Sequence, residues 1–193
     1  MIRLKTEAAP EPTFSIEQER VHDASAREAL LDRAMGPGRK RKSSEKLRRG
    51  RLPAAGLALV ARDPSGNMAG SVRLWNIRAG IDACGQPVAA LLLGPLAVSP
   101  AMKGAGLGSA LMRHAIAEAT RLEHRAVLLV GDAPYYQRFG FSAQKTRNLS
   151  MPGPYEKARL LALELVPDAM SGASGKITAS GREVGVLRIR AAA

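Results

Sequence analysis

Residues 91 to 113 read LLLGPLAVSPAMKGAGLGSALMR, and here the residue types and their spacing first suggest chemistry. An apolar run ends at Ser99-Pro100, glycines alternate at Gly104, Gly106 and Gly108, and an amphipathic pattern begins at once. That order predicts strand, glycine-rich turn, helix. Such a turn exposes backbone N–H groups at a helix N-terminus, where the macrodipole adds partial positive charge. The turn is therefore a site for an anion. Downstream, Asp132 follows the apolar run Ala126 to Val130, and Tyr135-Tyr136 begins an aromatic cluster. A carboxylate at a strand end can accept a proton or cap the next turn. A phenol can donate a proton or simply pack.

Several elements must position these groups. Thr13 to Glu19 reads as a first strand, and Asp23 to Met35 as a helix with apolar positions at Ala26, Leu30, Leu31 and Ala34. Asp23 or Ser25 is its N-cap, and Gly36-Pro37-Gly38 ends it. Ser43 to Arg49 allows a short helix whose single apolar residue, Leu47, predicts no core contact. Gly56 to Arg62, Met68 to Arg78 and Pro87 to Val98 then read as three strands joined by short turns, an antiparallel meander. The helix after the glycine turn runs from Gly106 to Leu122 and buries Leu107, Leu111, Ala115, Ala119 and Leu122. Ala126 to Val130 must return parallel to strand 87–98, making a βαβ crossover. A helical turn over Tyr135 to Phe139, a strand restart at Gly140-Phe141 and a strand from Arg159 to Val166 follow. Val184 and Val186 suggest a further strand near the end, although Leu187 and Ile189 break the alternation. The expected fold is α/β (α+β), a central mixed sheet flanked by helices. Its domain spans 13–170, between a loose arm at 1–12 and a Gly/Ser-rich basic tail at 171–193.

Composition narrows the class. A chain of 193 residues can bury one sizeable core, and 46% hydrophobic content suits a globular protein. The opening MIRLKTEAAPEPTFS has no apolar core of a signal peptide, and Val88 to Val98 is too short to span a bilayer. No membrane association is expected. The single Cys84 can form no internal disulfide, so a reducing cytoplasm is the natural compartment. His22, His114 and His124 are scattered, with no ligand spacing to any cysteine, so no metal is expected. A net charge of +12 favours anionic partners. Residues 39–51, RKRKSSEKLRRGR, hold eight Lys or Arg against one Glu. They read either as a solvated surface segment or as a nucleic-acid patch, though no aromatics interleave to stack on bases.

Three phosphate motifs compete for the glycine turn. A P-loop needs Gly-Lys-Ser/Thr, whereas Gly108 is followed by Ser109-Ala110. A dinucleotide fingerprint matches Gly104 and Gly106 but meets Ser109 where its third glycine belongs. Three antiparallel-looking strands before the motif, with no further βα units after it, also count against that reading. Lys103 to Gly108 fits (Gln/Arg)-x-x-Gly-x-(Gly/Ala), the spacing of a coenzyme A pyrophosphate turn, with Lys103 in first place. The chain thereby resembles the GNAT superfamily of acyl-CoA-dependent N-acetyltransferases. Three blocks carry the resemblance, in order: LGPLAVSPAMKGAGLGSALM, AVLLVGD and YYQRFGF.

The resemblance implies a set of roles. Backbone N–H groups of Lys103, Gly104, Ala105, Gly106, Leu107, Gly108 and Ser109 would hold the pyrophosphate of acetyl-CoA. Strand 91–98 would splay from strand 126–130 with a bulge at Pro95. That leaves edge groups of Leu96, Ala97 and Val98 for the pantetheine and the thioester carbonyl. Tyr136, four residues before Gly140, takes the place of the acid for the leaving thiolate, unless it and Tyr135 only pack. Arg138 would contact a CoA phosphate or lie free on the surface. Leu91 to Val98 contains no carboxylate to serve as base, which leaves Asp132, or water, or Asp132 merely as a cap. The partners implied are acetyl-CoA and an unidentified primary amine. The amine would approach over residues 33–53 and the loop Met151 to Tyr155. The basic character of the first favours an acceptor carrying phosphate or carboxylate. Two other functions stay open, an acyl-CoA-binding protein without catalysis and a nucleic-acid-binding protein using residues 39–51. A homodimer through sheet edges is also possible.

Overall fold

The apolar runs become strands around a single long one. The computed structural model describes residues 14–185; the arm at 1–12 and most of the weak strand pattern at 184–189 lie outside the described residues. The strands are β1 (Ser15–Gln18), β2 (Ala58–Arg62), β3 (Met68–Ile81), β4 (Pro87–Val98), β5 (Ala126–Val130), β6 (Leu149–Ser150), β7 (Leu160–Glu164) and β8 (Ser174–Ala179). The helices are α1 (Ala24–Met35), α2 (Leu107–Arg121) and the single-turn α3 (Ala133–Gln137). The sheet runs in the order β1-β2-β3-β4-β5-β7, with β8 attached to β3 and β6. β1 to β4 form the antiparallel meander, and α2 carries the chain to β5, parallel to β4. The mixed sheet expected from the sequence is the one observed.

Alternation along β4 divides the core. Leu91 and Leu93 face α2 and pack with Leu107, Leu111, Met112 and Ala115, while Leu92 faces the other side with Trp75, Leu128 and Ile177. α2 buries Leu107, Leu111, Ala115 and Ala119 of its predicted stripe because apolar residues recur every three to four positions, whereas Leu122 is the half-buried C-cap. α1 buries Leu30 and Leu31 against Ala97, but Ala26 and Ala34 are exposed and Arg27 takes the third inward place. Its guanidinium is held by Glu19, which also accepts from Arg73 at 2.6 and 2.7 Å. No helix among the described residues is long and apolar enough to cross a membrane.

Four expectations are corrected. β3 continues past Arg78 to Ile81, through Gly80 at φ +69°, because β8 presses on it; a Cβ at Gly80 would sit 1.9 Å from the Ser174 carbonyl oxygen. The segment set apart as a tail therefore supplies β8, which pairs Thr178 with Arg78 and buries Ile177 completely. Gly140-Phe141 is no strand; Phe141 turns into the core, and only Ser142 bridges to Ala162. The basic segment is likewise not detached. It forms two 3-10 turns, Pro37–Arg41 and Ser43–Leu47, and Leu47 is 2% exposed among the residues of the second core face.

Candidate active site

A cleft opens where β4 and β5 part. Their parallel ladder holds only at Leu91–Val127 and Leu92–Leu128. Beyond it, β4 bends at the cis Gly94-Pro95 peptide, and its register with β3 shifts between Val72 and Leu74. Proline offers no N–H to a ladder, so the bulge falls where the sheet loses least. The buried Trp75 indole pins it by donating to the Gly94 carbonyl at 2.6 Å. Leu96, Ala97 and Val98 continue along β3 but have no strand on the β5 side among the described residues. The splay expected there is present.

At one end of this open edge lies the glycine turn. Gly104 and Gly106 have φ of +87° and +75°, left-handed values that other residues adopt only with strain, and Gly106 is the N-cap of α2. The N–H of Lys103 donates to the Pro100 carbonyl and that of Ala105 to the Met102 carbonyl, both at 3.2 Å. Those two groups therefore close the turn instead of facing a ligand. This corrects the expectation that the whole run from Lys103 to Ser109 donates outward. The N–H groups of Gly104, Gly106, Leu107, Gly108 and Ser109 make no backbone bond among the described residues. The groove they face is walled by Val98, Met102, Tyr135 and Arg138. Arg138 donates to the Ser109 hydroxyl at 3.2 Å, and its guanidinium lies 3.9 Å from the Tyr135 ring centroid. Arg138 is thus fixed beside the turn as a positive charge.

Tyr136 stands at the other end, lining the cleft with Leu92, Leu96 and Val130. α3 carries Pro134 in its first turn, a position that suits proline, and the Asp132 carbonyl accepts from both Tyr135 and Tyr136 N–H at 3.1 Å. The two rings therefore diverge, at 4.9 Å and 80°. Tyr135 faces the glycine turn and Tyr136 the cleft. The Tyr136 ring lies flat on Gly131, where a Cβ would meet its Cε2 at 2.1 Å. Burial raises the Tyr136 phenol above its ordinary value; Tyr135 and Asp132 add to this, and Arg159 opposes it. The group stays protonated at neutral pH and can give a proton to a departing anion.

The structure brings Tyr136, Leu96 and Val98 to the cleft and groove, with Arg138 and the glycine turn beyond them. Asp132 is exposed and does not line the cleft, and its side chain makes no capping bond; the capping is done by its carbonyl. Among the described residues no carboxylate lines the cleft, and none of the three histidines does so. No group of three acidic, His or Cys side chains suited to a metal occurs among the described residues. Two features escaped sequence reasoning. Gly131 is required by the Tyr136 ring, and its only signal was a glycine directly after an apolar strand. Arg39 and Arg48, read as part of a surface patch, turn inward and line the cleft with Lys42. Their signal was Glu45 three residues before Arg48, together with Glu28 and Asp32 on the preceding helix face.

Comparison with known proteins follows the same lines. A family described as "Acetyltransferase (GNAT) domain" matches residues 54–143. The chain is 28% identical over 155 residues to the uncharacterized N-acetyltransferase YhbS of Escherichia coli strain K12, covering 80% of this chain and 89% of that protein. The crystal structure of the E. coli YhbS protein in complex with CoA superposes with a TM-score of 0.73 at 27% identity, over 90% of this chain and 93% of that one. A GNAT family acetyltransferase from Brucella melitensis, in complex with acetyl-CoA, gives 0.62 at 26% identity, over 88% and 97%.

Proposed function

This chain belongs to the GNAT superfamily, and on that premise we propose that it transfers an acetyl group from acetyl-CoA to a primary amine by direct attack. The observation that carries the proposal is one continuous arrangement: outward N–H groups at the α2 N-terminus, the unpaired edge of Leu96 to Val98, and the Tyr136 phenol beyond. The complexes of similar proteins with CoA and with acetyl-CoA support the ligand. Gly104 and Gly106 to Ser109 receive the pyrophosphate, with Arg138 beside them. The edge of Leu96 to Val98 receives the pantetheine and polarises the thioester carbonyl. The amine nitrogen attacks that carbon, the C–S bond breaks, and the thiolate takes the Tyr136 proton. The surplus amine proton leaves through water, with Asp132 as its acceptor outside the cleft. An exposed, free Cys84 suits the reducing cytoplasm expected for such an enzyme.

Melting curves and CoA release test this. A ligand at about 100 times its Kd stabilises by about 2.7 kcal/mol, which for this size of chain raises Tm by about 5–10 °C. No shift at saturating acetyl-CoA would remove the proposal. A shift without CoA release from any amine would favour the second reading, acyl-CoA binding without catalysis. That no carboxylate among the described residues lines the cleft is the observation on the side of that reading.

A further inference from the structure

The acceptor side of the cleft is walled by Arg39, Lys42, Ser44 and Arg48. Arg39 is already neutralised, by Glu28 at 2.6 Å and Asp32 at 2.7 Å. Arg48 is not. Leu47 buries itself beneath the segment and carries Arg48 inward, leaving its side chain 10% exposed. Its Nη2 donates to Glu45 at 2.9 Å, while Nη1 reaches toward Gly94, 3.8 Å from where a Cβ would stand. The free edge of the guanidinium therefore points at the bulge of β4, where the strands part. Burial drives the Arg48 guanidinium down from its ordinary pKa, Glu45 opposes this, and Arg39 adds to it. A desolvated guanidinium with an open edge gains most from a ligand anion, because its planar fork matches carboxylate and phosphate oxygens. Lys42 adds an exposed charge to the same wall, with no ion pair among the described residues.

We propose that the acceptor is an amine bearing a carboxylate or phosphate group, which seats on Arg48 and Lys42 while the amine faces the thioester. This rests on the acetyltransferase reading. The same cations discourage the ammonium form of the acceptor and so favour the free amine that attack requires. A plain alkylammonium has no anionic partner among the described residues that line the cleft. The loop Met151 to Tyr155 packs against the segment that carries these cations, outside the cleft itself. Gly153 lies so near that a Cβ on it would be 3.2 Å from the Lys46 ammonium and 3.6 Å from the Ser43 Cβ.

The test uses the full chain saturated with CoA and two matched pairs of probes, read by calorimetry. β-Alanine is compared with its uncharged amide, and O-phosphoethanolamine with ethanolamine. In at least one pair the member bearing the acid group should bind about tenfold tighter than the counterpart that lacks it, and the pair that shows it tells carboxylate from phosphate. Arg48→Gln should abolish the difference, Lys42→Gln should reduce it, and Arg48→Lys should restore part of it. The acetyl-CoA affinity of each variant serves as the check that the fold is intact. Equal binding within both pairs, or no binding by either anion, overturns the proposal, as does an Arg48→Gln variant that keeps the preference. Acetyl-CoA binding that persists through such a result leaves the acetyltransferase reading standing. Loss of acetyl-CoA binding by the unmodified protein sinks both.

Discussion

Tyr136 owes its position to what its neighbours lack. Gly131 has no side chain, so the ring can lie on the end of β5, and Asp132 receives two N–H groups on its carbonyl, so the ring points into the cleft. Tyr136→Phe keeps the ring and removes the proton. A positioned acid contributes roughly 10²–10⁴-fold, and a thiolate leaves readily, so a fall in kcat of about 10²-fold is expected with acetyl-CoA affinity unchanged. Equal turnover numbers for the variant and the parent would remove Tyr136 from the mechanism. Since burial raises this phenol above the ordinary value of about 10, kcat/KM should climb with pH as the amine loses its proton. The alkaline fall due to Tyr136 should begin only above about pH 10 and be absent from the Phe variant. A Tyr136-dependent fall near neutrality would contradict this. Gly131→Ala tests the positioning separately. Its methyl must displace the ring, so kcat should drop as in Tyr136→Phe while α2 and the glycine turn bind CoA as before. A crystal structure of that variant with the ring unmoved would refute the account.

α2 gathers the N–H groups of the proposed pyrophosphate site, and its start is set by the backbone of Gly106. Replacing that residue by alanine places a Cβ in the left-handed region at a cost of about 1 kcal/mol, and the N-cap then rotates to relieve it. The N–H groups of Leu107, Gly108 and Ser109 lose their common aim. Gly106→Ala should therefore weaken acetyl-CoA several-fold and leave kcat at saturation nearly intact. A variant with the parent's Kd would show that the turn does not hold the pyrophosphate. This element was legible in the sequence because its signals are local: alternating glycines, an abrupt change of apolar period, a helix stripe. Tyr136 was legible through the YYQRFGF block. The roles of Arg39 and Arg48 were not, since eight cations in thirteen residues look alike until Glu28, Asp32 and Glu45 pair with particular ones. Nor could spacing show that Lys103 and Ala105 spend their N–H groups inside the turn, which depends on the path of the chain through Pro100 and Met102.

The sheet as a whole depends on a strand that the sequence disguises. Ser174 to Ala179 reads SGKITA, with a glycine, a lysine and one large apolar residue, so periodicity gives it little weight. Tertiary context overrides that weakness. β3 is long enough to pair β2 along its first half and β8 along its second, and Ile177 fills the space between Ala79 on β3 and the second core face. The chain then returns from β8 to the acceptor side, where the Arg182 carbonyl accepts from Leu52 N–H at 2.8 Å and Arg51 donates to the Gly181 carbonyl at 2.6 Å. The last described residues thus brace the segment that carries Arg48, and stability and acceptor recognition share one support. Ile177→Ala removes a fully buried side chain from this junction and should cost about 3 kcal/mol, lowering Tm by about 6–12 °C. Because β8 lies far along the chain from the glycine turn and touches β3 beyond the bulge, acetyl-CoA should still stabilise the variant by the same increment. The two effects are read in one melting series with and without ligand. A loss below about 1 kcal/mol would mean that residues 174–179 do not belong to the sheet in solution.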